Sequence, residues 1–293
     1  MVAKSLTVLT LQRCDLESTC GDINLPSLKE LSLFDVNADD QIIQNLVAAC
    51  PVIECMIISY FDGFQSLKLS NVPKLMTLKV DENDDLERLD LDLDSNLSLY
   101  YLSIDQRLQS KLDLLPYKNL KDLTLCALNI TNKWLHDHLS GLPLLETLRL
   151  YRCLEWERIE ISSHHLKILM LHDCKNLVEV KIDTPKLYRF SYGGGYIKSF
   201  STNALDLNDA IYNLVRDIAF SAPSDVEKIE FLSKLSNSKS LELKIDSTKV
   251  FLVFIYLFLL IICSLIYFMP FSFLFLLFLY INSNMFFCLF LFL

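Results

Sequence analysis

Leucine and its aliphatic substitutes recur along the chain as L-x-x-L-x-L-x-x-C, each time with a short stretch of period-2 alternation. "LTVLTLQRC" starts at Leu6, "LKELSLFDV" at Leu28 and "VIECMIISY" at Val52. "LMTLKVDEN" starts at Leu75, "LYYLSIDQR" at Leu99 and "LKDLTLCAL" at Leu120. "LETLRLYRC" at Leu145, "LKILMLHDC" at Leu166 and "LYRFSYGGG" at Leu187 complete the series. Alternation with period 2 puts the last two leucines of a unit on one face of a strand, and the residues between them on the other.

The intervals are 22, 24, 23, 24, 21, 25, 21 and 21 residues, inside the 20–29-residue window of leucine-rich repeats. The pattern predicts an α/β leucine-rich-repeat solenoid of about nine to ten irregular repeats. They are regular over 4–200 and diverged over 201–249. Eight residues after the first leucine the chain is expected to turn inward again. Cys14, Cys153 and Cys174 fill that slot, where a thiol acts as a small buried hydrophobe.

A weaker L-x-x-L-x-I set lies midway round the coils, at 64–69, 86–91, 156–161 and 177–182, and predicts extended segments on the other side. Two coils carry helical spacing instead. Residues 39–49 place Ile42, Ile43, Leu46 and Val47 on one face before Pro51, and 131–141 runs from Thr131 as N-cap to Gly141 as stop. A capping box at Ser224 and Glu227 predicts a further helix over 224–235, and 240–245 a closing strand.

Composition divides the chain in two. Its net charge is −9, and no charged residue follows Lys249. Residues 1–249 are thus an acidic repeat domain and 250–293 an apolar tail. An acidic domain without a basic cluster argues against nucleic-acid binding, which depends on displacing counterions from phosphates. Residues 250–269 and 271–293 are each long enough to span a bilayer. Yet from 251 onward the tail has no Ala, Gly or Thr, the small residues that pack membrane helices. Its letters are those of T-rich codons, so a gene-model artefact is the competing expectation. Nine cysteines in no disulfide pattern, and no export signal at the start, point to the cytoplasm or nucleus. A translated tail would add a membrane.

The phrases "CPVIE" at 50–54, "LPLLE" at 142–146 and "IDTPKL" at 182–187 sit within two longer runs, 25–54 and 142–194. With "IEFLSKLSNSKSLEL" at 229–243, they resemble plant F-box/LRR-repeat proteins over about residues 4–245. That resemblance implies repeats that recognise a protein target. It also implies an F-box that docks a Skp-type adaptor beside a cullin ubiquitin ligase. The chain opens almost directly in a repeat strand, so the expectation is the recognition half alone, with the adaptor entering only if an F-box lies upstream. A membrane-anchored receptor, to which sequons at Asn96 and Asn129 would belong, and a non-functional truncated product are the alternatives.

Offsets +2, +4 and +6 of each unit point away from the core and form the expected binding face. Phe34, Met56, Tyr101, Asp105, Arg149, Tyr151, Met170 and His172 are its candidate protein-binding residues, because aromatics, Met and Arg concentrate at interface centres. The plainer reading makes them ordinary solvent-facing strand residues. No catalytic, cofactor or metal site is expected. "CPVIEC" at 50–55 lacks the second half of a zinc site, with Cys55 expected at an inward position. "HDH" at 136–138 and the His and Cys residues of 164–174 are equally incomplete. "GGG" at 193–195 lacks the G-K-[ST] of a phosphate loop and reads as a turn. The acidic run 81–94 lacks calcium-loop spacing.

Overall fold

The computed structural model describes residues 3–16, 23–63, 65–81, 86, 88–91, 98–105, 113–126, 131–154, 156–195, 197–204, 207–214, 235, 238–245 and 288–292. Each repeat unit supplies one strand to a single long sheet. In chain order these are β1 (Val8–Asp15), β2 (Glu30–Asn37), β3 (Cys55–Asp62), β5 (Thr77–Asp81), β7 (Tyr101–Asp105), β8 (Asp122–Cys126), β9 (Thr147–Tyr151), β11 (Ile168–Cys174), β13 (Arg189–Gly194), β15 (Asp209–Leu214) and β16 (Ser240–Ile245). They lie side by side in that order, each parallel to the next. A last strand, β17 (Cys288–Phe292), adds antiparallel to β16. The chain is a leucine-rich-repeat solenoid, as the periodicity predicts.

A common device starts most of these strands. An inward residue, usually followed by Pro, closes a tight turn onto the first residue of the unit. Leu28 N–H donates to Leu25 O, Ile53 to Cys50, Leu75 to Val72, Leu145 to Leu142 and Leu187 to Thr184. Pro26, Pro51, Pro73, Pro143 and Pro185 occupy the second turn position, where their fixed φ suits the turn. The next two N–H groups then share one carbonyl of the preceding coil. Glu54 and Cys55 both donate to Lys29 O, Lys167 and Ile168 to Glu146 O, and Tyr188 and Arg189 to Lys167 O. This staircase sets the register.

It also corrects the third unit. The turn and the shared carbonyl place its first core residue at Ile53, not Val52, so Met56 and Ile58 point inward and are 0 % exposed. Cys55, expected inward, takes the outer face. Both frames offer aliphatic letters at the strand positions. They differ at the slot eight residues on, where Ile53 places Phe61, now buried, and Val52 would have placed Tyr60, which is exposed.

Arg13, Asp35, Tyr60, Arg152 and Asp173 all have φ between 52° and 56°. Each stands one residue before the slot. The left-handed residue inserts a bulge, visible as a register shift between His172 and Cys174, and swings the next side chain back into the core. Cys153 and Cys174 are thereby buried, and their thiols donate to Tyr151 O and His172 O. Leu31, Leu33, Val36, Leu169 and Leu171 line the same inner face. Each such burial stabilises by roughly 1.5–3 kcal/mol.

The outer side is discontinuous. Helix α1 (Asp40–Ala48) precedes a two-stranded sheet, β4 (Ser66–Leu69) with β6 (Arg88–Leu91). Helix α2 (Asn132–Ser140) precedes a three-stranded one, β10 (Arg158–Ser162), β12 (Glu179–Asp183) and β14 (Ser199–Thr202). Each helix satisfies the first strand's free edge with side chains. Asp40 Oδ1 accepts from the N–H groups of Gln65 and Ser66, and Asn132 Nδ2 donates to Arg158 O. Asp39 and Thr131 are the N-caps, and α1 buries the four predicted aliphatics.

β15 continues the repeat beyond the predicted regular region, with Leu207, Ala210 and Tyr212 in the inward positions. Gly193 and Gly194 end strand β13 rather than forming a free turn. A side chain at Gly194 would strike the buried Tyr192 hydroxyl, which donates to Gly195 O. The expected helix at 224–235 lies outside the described residues apart from Leu235, as do Asn96, Asn129 and segment 250–269. Of 271–293 only the five residues of β17 are described, and they are extended. Among the described residues no helix is long and apolar enough to cross a membrane.

Candidate functional site: the outer face of the long sheet

Parallel pairing converts residues 21–25 positions apart into lateral neighbours. Three rows cross β7, β8, β9, β11 and β13. They are Tyr101–Asp122–Thr147–Ile168–Arg189, Ser103–Thr124–Arg149–Met170–Ser191, and Asp105–Cys126–Tyr151–His172–Gly193. Six of the eight candidates fall in this one field: Tyr101, Asp105, Arg149, Tyr151, Met170 and His172. Tyr101, Arg149, Tyr151, Met170 and His172 are half-buried. They lie on the side of the sheet opposite the leucine core, where their neighbours are other strand side chains.

Phe34 and Met56 fall elsewhere. Phe34 is exposed on β2, in a second patch, its ring edge-on to Tyr60 at 5.1 Å. Met56 is core, by the corrected frame, and leaves the binding face altogether.

Polar pairs organise the central field. The Arg149 guanidinium donates to Asp122 Oδ1, with 27 % and 19 % of the two side chains accessible. Burial pushes the Asp122 carboxyl above its ordinary range, and Arg149 only partly offsets this. His172 Nε2 and Ser191 Oγ are hydrogen-bonded at 2.8 Å, and the His172 and Tyr151 rings lie 5.7 Å apart. Burial raises the Tyr151 phenol as well. Thr124 Oγ1, between Ser103 and Arg149 in its row, is buried without a hydrogen-bond partner. On one flank Lys79 pairs with Asp81, which accepts from Ser103 Oγ at 3.4 Å. On the other, Arg189 places two N–H groups on Asp209 Oδ2 at 2.9 and 3.2 Å.

Asp122, Ser191, Arg189 and Asp209 are absent from the sequence-derived candidates. Their alternation was legible; their partners were not, since pairing depends on the register between coils.

The histidine and cysteine motifs have structural explanations. His138 hydrogen-bonds Trp134 O at 2.8 Å through Nδ1 and stacks on the Trp134 ring within α2. Cys50 is buried at a turn, its thiol pushed up to about 11 by burial, while Cys55 faces the outer side of β3. Among the described residues no group of three or more His, Cys, Asp or Glu side chains is placed to hold a metal ion.

A family model described as "At1g61320/AtMIF1, LRR domain" matches residues 94–287, and one described as "FBD-associated F-box protein At5g56370, LRR repeats" matches residues 1–98. The F-box/FBD/LRR-repeat protein At1g13570 of Arabidopsis thaliana is 29% identical over 144 residues, covering 49% of this chain and 30% of its own length. The F-box/LRR-repeat protein At3g03360 of the same plant is 23% identical over 168 residues, 56% of this chain and 34% of its own. The chain thus spans about a third of the length of these curated relatives.

Proposed function

This chain belongs to the At1g61320/AtMIF1 leucine-rich-repeat domain family, and from that premise we propose that it is the recognition module of an F-box-type ubiquitin-ligase receptor. A protein target docks on the outer face of β7–β11, with Tyr101, Arg149, Tyr151, Met170 and His172 at the centre. In the complete receptor an F-box would tie the module to a Skp-type adaptor, and the repeats themselves would perform no catalysis.

The observation that carries this reading is the single field itself. Two tyrosines, a methionine, a histidine and an arginine share one face of β7, β9 and β11, half-buried before any partner arrives. Side chains already ordered by their neighbours lose less conformational freedom on binding. Interface centres are built from these residue types, and hot spots cluster in such desolvated settings. The names of the relatives add the F-box context.

The test is quantitative affinity capture with the full chain, with a Tyr151→Ala/His172→Ala double variant and with Lys181→Ala on the opposite side. A captured protein is then purified and its Kd measured. The expected result is a partner whose binding weakens about 10-fold or more in the double variant and is unchanged in Lys181→Ala. A partner indifferent to the double variant would place recognition elsewhere.

A further inference from the structure

We propose that Cys153 and Cys174 form an oxidisable pair that glutathione disulfide, or a similar small disulfide, converts to a cross-link between consecutive coils. The proposal stands on the solenoid geometry and not on the identity of any target.

The two cysteines occupy the same slot of adjacent units, just past β9 and at the end of β11. The ladder runs on to that point: Tyr151 pairs with His172, and Arg152 N–H donates to His172 O at 2.9 Å. After matching bulges at Arg152 and Asp173, both chains turn inward together. Neighbouring strands lie about 4.8 Å apart, inside the roughly 4.4–6.8 Å Cα separation of disulfides. Each thiol donates to a carbonyl of its own coil, Cys153 to Tyr151 O and Cys174 to His172 O, so the two sulfurs sit at matching places in successive coils. The neighbouring Cys153 thiol draws Cys174 toward thiolate, the nucleophilic form, while Cys174 and burial hold Cys153 protonated.

In the first step the Cys174 thiolate attacks one sulfur of glutathione disulfide, forming a mixed disulfide and releasing one glutathione thiolate. Cys153 then loses its proton, and its sulfur displaces the second glutathione from Cys174. The two cysteines have together lost two protons and two electrons, and one glutathione disulfide has become two glutathione molecules. Both thiols are buried, so the first step follows a local opening at the exposed bulge residues Arg152 and Asp173. It is slow relative to reaction of an exposed thiol.

Other cysteines supply the control. Cys14 occupies the same slot in β1 but is paired with Val36, and Cys55 faces the outer side. Neither has a thiol in the adjacent slot.

The full chain is incubated in glutathione buffers of graded potential, alkylated under native conditions and digested without reductant. Trypsin releases Cys153 within residues 153–158 and Cys174 within residues 168–175. The expected product is these two peptides joined, lighter than their sum by two hydrogen atoms. The thermal midpoint rises in parallel and falls back on reduction. Cys153→Ser, checked for folding by circular dichroism, stops at the mixed disulfide on Cys174. The proposal is overturned if Cys14 and Cys55 are glutathionylated while Cys153 and Cys174 stay free until the protein unfolds. A 153–174 link that appears only in denaturant overturns it equally, and neither readout depends on the variant.

Discussion

The two faces of the coil are built from the same alternation yet end differently. On the long sheet every unit contributes a strand, so polar rows run unbroken past their neighbours, and Asp122, Arg149, Tyr151 and His172 end half-buried. On the opposite side two helices interrupt the pairing, leaving sheets of two and three strands whose charges face water. There Lys181 contacts Glu160 and Arg158 contacts Glu179, each with about half or more of the side chain exposed on average. The lesson is that continuity of pairing, more than residue type, sets how deeply a polar side chain sits. The Asp122–Arg149 pair on the long sheet bears on stability, whereas the exposed pairs opposite contribute little.

Core deletion probes whether the short strands belong to the same cooperative unit as the long sheet. Leu169 of β11 and Ile161 of β10 are both 0 % exposed. Truncation of either to Ala is expected to cost about 2–5 kcal/mol in urea unfolding. If Ile161→Ala costs much less, or unfolds in a separate transition, the outer strands are an accessory layer and the comparison must be redrawn.

Charge removal tests the polar difference directly. Arg149→Leu strands the Asp122 carboxylate and is expected to cost about 1–3 kcal/mol near neutral pH, whereas Lys181→Ala leaves the unfolding midpoint unchanged. The pH dependence follows by sign. Without Arg149, burial alone acts and the folded-state pKa of Asp122 rises further above its unfolded value. The variant's deficit is therefore smallest in acid, where the carboxyl is protonated in both states, and grows as pH rises through the carboxylate range. A deficit independent of pH would mean that lost packing, rather than the stranded charge, dominates.

The smallest effect concerns the bulges that accompany the long sheet. Arg152→Gly or Asp173→Gly relieves a left-handed backbone at a residue with a Cβ and, against the entropy of glycine, is expected to raise stability by about 0.5–1 kcal/mol. A β-branched residue such as Arg152→Val lowers it. Thermal midpoints of the three variants decide the matter, and equal midpoints would remove strain from the account.

Much of this was legible in the sequence because leucine spacing and strand geometry share a period. Both helices and most outer strands could be placed from aliphatic spacing and caps. Reading failed where two frames satisfied the same alternation, as at Val52 and Ile53, which the turn at Pro51 and the packing of Phe61 distinguish. It thinned out at β15, where Ala210 and Tyr212 stand in for leucines. It missed the use of Gly194, whose bareness makes room for a tyrosine hydroxyl contributed two residues earlier. Outer positions in the site could be read by alternation; the Asp122–Arg149 pair could not, because it joins residues in consecutive coils.

The bulge asks only for a backbone shape, not for a particular side chain. Five of these positions carry Arg13, Asp35, Tyr60, Arg152 and Asp173, all turned to solvent along one rim. The core does not register their chemistry. Selection can therefore rewrite this border of the molecule letter by letter, one coil at a time, while the scaffold beneath it stays unchanged.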